Sequence, residues 1–134
     1  MMDVKQMNPL TLAYVGDAVL ELYVRKHLVA QGLTKPNDLH QKAVQYVAAE
    51  GQAYVLHRLL DSGELSDEET GVVRRGRNAK SASIPKNTDV QTYRYGTAFE
   101  ALIGYHHLNG NKGRTESIIT LMFRWIEEGE TLER

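Results

Sequence analysis

Tyr14-Val15-Gly16-Asp17-Ala18-Val19-Leu20-Glu21-Leu22 is the stretch on which the fold reading turns. Apolar residues at Leu12, Val15, Val19 and Leu22 recur at three- and four-residue steps, so the stretch reads as the middle of a helix. Asp17 interrupts that run. Residues four apart share a helix face, so Asp17 and Glu21 can point the same way. A carboxylate among apolar neighbours is costly unless it is paired or binds a metal. Asp17 is therefore either a functional acid or a structural one, capping a helix or pairing with a Lys or Arg elsewhere, and structural ion pairs are common.

Outward from that helix the punctuation is regular. Asn8-Pro9 supplies an N-cap and a first helical residue, and Gly32 a stop, which predicts a helix over 9–30 after a loose polar tail at 1–7. Thr34-Lys35-Pro36-Asn37 is a turn into an Ala-rich helical pattern over 36–61, with Leu39, Ala43, Val47, Tyr54, Leu56 and Leu60 inward. Glu50-Gly51 is the expected break in it, since Gly in a helix interior costs about 1 kcal/mol. Ser66-Asp67-Glu68-Glu69 is a capping box opening a helix over 67–75. Residues 76–87 lack apolar periodicity, hold Ser81, Ser83 and Pro85, and read as a loop. Thr88 is the expected cap of a helix over 89–108, stopped by Asn109-Gly110. The last helix is expected over 115–128, with Ile118, Ile119, Met122, Trp125 and Ile126 inward. No two-residue alternation and no internal repeat occurs. The fold class is all-α: a single helical-bundle domain over residues 1–134.

Composition narrows the function. The chain has 134 residues, 42% hydrophobic and 25% charged, which fits one globular domain. Cysteine is absent, excluding disulfides, thiolate metal sites and a cysteine nucleophile. With no membrane-length apolar run and no leader-like segment, the expected place is the cytoplasm, without a membrane partner. Net charge is −1, yet the segment from Arg74 to Arg94 carries six basic residues against Asp89 alone, a local +5. Such a patch on a slightly acidic protein suits a specific polyanion site. Arg74, Arg75, Arg77, Asn78, Lys80 and Lys86 are the candidate phosphate contacts; the plainer alternative is a solvated charged loop. Tyr93 and Tyr95 are either RNA contacts or packing residues. His106 and His107 are adjacent, cannot face one metal together, and read as helix-end residues.

A second acid, Glu100, lies within Gly96-Thr97-Ala98-Phe99-Glu100-Ala101-Leu102-Ile103-Gly104, whose small residues permit close helix contact. Two acids in separate apolar helices suit a hard cation such as Mg²⁺, which keeps several waters and needs few carboxylates. Without a placed nucleophile, they favour metal-assisted phosphodiester hydrolysis. One shared hydrated ion requires the carboxylates to lie within roughly 7 Å of each other.

At this point Tyr14-Val15-Gly16-Asp17-Ala18-Val19-Leu20 resembles the signature helix of the ribonuclease III endonuclease domain. Phe99-Glu100-Ala101-Leu102-Ile103-Gly104 resembles that family's second acidic motif, in the same order and at the same separation. Arg77-Asn78-Ala79-Lys80-Ser81 and Pro85-Lys86-Asn87-Thr88-Asp89-Val90-Gln91-Thr92-Tyr93-Arg94-Tyr95 are similar to the bacterial mini-ribonuclease III subfamily. The resemblance implies a homodimer of all-helical catalytic domains lacking a separate double-stranded-RNA-binding domain. It implies Mg²⁺-dependent cleavage of double-stranded RNA, in particular maturation of the 23S ribosomal RNA precursor at both ends. It makes Asp17 and Glu100 the catalytic, metal-holding pair. The wider family has two further acids, at positions that are Ala13 and Thr97 here, and the mini subfamily shares this reduced set. Those two residues favour the competing reading, a non-catalytic RNA-binding or ribosome-assembly protein of the same fold. Leu20, Leu22, Val24 and Leu28 on the first long helix are the candidate dimer face.

Overall fold

The computed structural model describes residues 3–80 and 84–133, with side chains up to Gly129; Met1, Met2, Ser81 and Ser83 lie outside the described residues. After a short 3-10 turn at Val4–Gln6 come α1 (Pro9–Ala30), α2 (Pro36–Val47), α3 (Ala49–Ser62), α4 (Asp67–Asn78), α5 (Val90–Leu108) and α6 (Lys112–Glu133). Among the described residues there is no strand, as the absence of two-residue alternation requires.

The bundle is built around α5. From Ala101 to His106 every residue is buried, and Gly96, Ala98 and Phe99 are buried as well. A helix apolar on all sides is a core helix, and α1, α3, α4 and α6 all pack on this one. Leu20, Val24 and Leu28 of α1, Leu56 and Leu59 of α3, and Ile118, Ile119 and Met122 of α6 fill the surrounding core.

Local chemistry sets the helix ends. The Asn8 Oδ1 accepts from the Leu10 N–H at 2.8 Å, and Pro9 occupies the first helical position. Gly32, at φ +97°, closes α1, and the N–H groups of Gly32 and Leu33 return to the carbonyls of Val29 and Leu28. Ser66 and Glu69 form the reciprocal capping box that opens α4.

Several expected boundaries move. The break after α2 falls at Ala48, whose extended backbone ends one helix and starts the next, while Gly51 lies inside α3 against the Gln45 carbonyl. Tyr54 is exposed, and Tyr46, Val55 and Leu59 take the core positions. α4 continues to Asn78, because Gly76 serves close packing rather than termination: a methyl there would stand 2.9 Å from the Ala98 Cα. Asp89, not Thr88, caps α5 through the Thr92 N–H. The tail is held, with Val4 and Met7 packed on the Leu12–Tyr105 cluster and Lys5 paired to Glu68 at 3.2 Å. Leu20, Val24 and Leu28 fill the subunit's own core, so of the four dimer-face candidates only Leu22 is exposed.

A buried polar knot ties α4, α5 and α6 together. Glu69 pairs with His106 Nε2 at 2.6 Å and with Arg114 Nε at 2.8 Å, and each of the first two is only 5% exposed. Asn111 Nδ2 lies 3.1 Å from His106 Nδ1. Burial pushes the Glu69 carboxyl up, but hydrogen bonds from Arg114, the Ser66 N–H and His106 outweigh it and hold the group down at about 2. His106 is thus a structural residue at the end of its helix.

Candidate active site

The site begins with two glycines. α1 and α5 cross where Gly16 meets Gly104, so closely that a Cβ built on Gly16 would stand 2.9 Å from the Gly104 nitrogen and would overlap the Glu100 carbonyl oxygen. A Cβ on Gly104 would in turn stand 3.0 Å from the Gly16 nitrogen. Only glycine allows backbones this near. The contact places Asp17, the next residue of α1, beside Glu100, one turn before Gly104 on α5.

The two carboxyls meet. Asp17 is exposed, Glu100 is half-buried, and their side chains share a hydrogen bond. Burial, then the Asp17 hydrogen bond and charge, push the Glu100 carboxyl up to about 8, with Glu21 adding to the push. The Gln52 side chain, hydrogen-bonded to Glu100 from α3, acts the other way. Glu21 does not join the pair directly; Arg25 Nε engages its carboxylate at 3.3 Å.

Two carboxyls held this close share a proton, or suit a cation once both are ionised. Among the described residues no group of three or more His, Asp or Glu side chains forms a metal-holding cluster. The donor set is therefore two carboxylates, which fits an ion that keeps most of its water. The two positions that are acidic in the wider family contribute packing instead. Ala13 is buried beside Leu12 and Val72, and the Thr97 hydroxyl donates to the Tyr93 carbonyl at 3.1 Å.

The basic residues divide. Arg74, Arg75, Arg77 and Asn78 lie on the last turns of α4, a helix and not a loop, and Lys80 and Lys86 on the irregular stretch after it. Lys80 joins Arg94 at a recess whose other walls include Leu10, Gly76, Ile84, Tyr93 and Thr97. Thr97 is one turn before Glu100, so this recess neighbours the acid pair along α5. Arg75 turns instead towards Gly71 and Tyr105. Tyr93 and Tyr95 are both half-buried, and Tyr95 packs on His57 with ring centroids 4.2 Å apart. Sequence reasoning passed over Gln52 because a lone glutamine in an Ala-rich helix looks solvent-facing.

The model of the Ribonuclease III domain family matches residues 10–111, from α1 through the turn after α5. A mini-ribonuclease 3 of Enterococcus faecalis is 48% identical over the whole of both chains. One of Brevibacillus brevis is 52% identical over 92% of this chain and 90% of its own. A solved structure of a Fusobacterium nucleatum protein superimposes with a TM-score of 0.81 at 27% identity, covering 92% of this chain and 98% of that one. With the acid pair, the glycine crossing and the helical order all in place, the chain belongs to the ribonuclease III family, in its mini-ribonuclease 3 branch, and is an endoribonuclease of that type.

Proposed function

We propose that this endoribonuclease cleaves double-stranded RNA as a Mg²⁺-dependent cytoplasmic homodimer, and that it trims both ends of the 23S ribosomal RNA precursor. The observation that carries the proposal is the meeting of Asp17 and Glu100 across the Gly16–Gly104 crossing. Asp17 and Glu100 would hold a Mg²⁺ ion, which would supply Lewis-acid polarisation of a phosphate and a water when bound. Asp17, on the exposed side, faces the substrate, and Glu100 anchors the site from the core side. Glu100 would have to bind such a cation as the carboxylate, having lost its proton. Arg74, Arg77, Asn78, Lys80 and Lys86 hold the phosphate backbone, which suits a duplex recognised by shape and phosphates, while Arg75 is set apart beside Tyr105.

The homodimer reading is supported by an apolar stripe along α1. Tyr14 is 81% exposed and Leu22 58% exposed, and Ala18 stands between them at four-residue steps, next to Asp17. A twofold contact through this stripe buries it against its own copy and brings two acid pairs together, one for each RNA strand. The 23S substrate rests on the resemblance in sequence.

Asp17→Ala is the direct test. Cleavage of duplex RNA in Mg²⁺ is expected to fall to background, while the helical circular dichroism and RNA retention stay at wild-type values. Near-normal turnover by that variant overturns the role of the pair. Loss of the gene is expected to leave 23S RNA extended at both ends; mature ends in such cells remove the substrate assignment but leave the nuclease.

A further inference from the structure

We propose that Gln52 is a positioning residue that fixes the orientation of the Glu100 carboxylate for cation binding; this rests on the reading of Asp17 and Glu100 as the cation-holding pair. Gln52 is 2% exposed, on the first turn of α3, directly after the break at Ala48. Its Nε2 donates to the Val47 carbonyl at 3.1 Å. That carbonyl is one of those left without a helical partner where α2 ends, and binding it locks the plane of the Gln52 amide. The same side chain reaches towards Glu100 and favours its charged form. An amide nitrogen has two N–H groups, so one remains for the Glu100 carboxylate when the other is on Val47.

Gly96 completes the seat. A Cβ at that position would stand 3.2 Å from Gln52 Oε1 and 3.3 Å from the Ala49 Cα. With no side chain there, the Gln52 amide comes up directly against α5 one turn before Glu100. Glu100 is thus gripped from two sides, by Asp17 of α1 and by Gln52 of α3. Partners that hydrogen-bond a ligating carboxylate set its direction, and their loss costs roughly 10- to 100-fold in metal affinity.

The test titrates Mn²⁺ alone into the RNA-free protein and follows binding by calorimetry. Gln52→Met keeps the volume and removes the donor. Its affinity for Mn²⁺ is expected to fall at least about tenfold, with RNA retention unchanged in the absence of metal. A glutamine that only capped α2 would lower the melting temperature and leave the metal affinity alone. A folded Gln52→Met protein that binds Mn²⁺ as tightly as wild type overturns the proposal. Should that variant fail to fold, Gly96→Ala carries the test by pressing on the same amide. It is expected to show a smaller loss in the same direction, and unchanged affinity there also overturns the proposal. If wild type binds no Mn²⁺, or Asp17→Ala binds it equally well, it is the cation reading of the acid pair that fails, and the proposal with it.

Discussion

Glu100 at about 8 is a carboxyl that keeps its proton near neutrality when no cation is present. In the unfolded chain the same group titrates near 4.5. The folded state therefore holds a proton between those values that the unfolded state has lost. The stability it confers is complete below the unfolded value and is lost as pH rises through the folded one. Urea denaturation of the metal-free protein is expected to show falling stability from about pH 5 to pH 8. Glu100→Gln should flatten that slope, and an unchanged slope would mean that another group produces it. Glu69 has the opposite sign, since its partners hold it at about 2 and its contribution disappears only as acid protonates it. Arg114→Ala leaves Glu69 buried with His106 as its remaining side-chain partner and should cost about 2–3 kcal/mol in the same experiment.

At the scale of elements, the crossing of α1 and α5 matters most. Gly16→Ala drives a methyl into the backbone of α5. The helices must part, at about 3 kcal/mol, and the acid pair separates with them. Thermal denaturation and duplex cleavage are both expected to fall. Retained activity with lowered stability would show that the site tolerates a wider crossing. Caps were legible in the sequence because they are local: Asn8-Pro9, Ser66 with Glu69, and Gly32 each act within a few residues. Gly76 and Gly51 misled because a glycine that admits a neighbouring helix looks, in one dimension, like a glycine that stops its own. The acid pair was legible as two exceptional residues. The grip of Gln52 was not, since its partner Glu100 is distant along the chain and its own residue type is ordinary. The Glu69–His106–Arg114 knot hid for the same reason.

Across the whole molecule, the apolar stripe is the face proposed for the partner and the basic residues the face proposed for the substrate. Leu22→Lys places a charge in the middle of the exposed stripe, while Leu22 itself takes no core position. Sedimentation is expected to shift from dimer to monomer with the helical content unchanged; a monomeric wild type, or a dimeric variant, would move the interface elsewhere. The glycine crossing has one more consequence. Segments of a protein open on their own with very different free energies, and buried, tightly packed backbone opens last. The spacing of the two acids is set where main chains touch in the interior, whereas Lys80 and Lys86 are themselves exposed and outside the helices. On warming, the crossing of α1 and α5 should therefore be among the last parts of the molecule to open, and the two acids should stay together until it does.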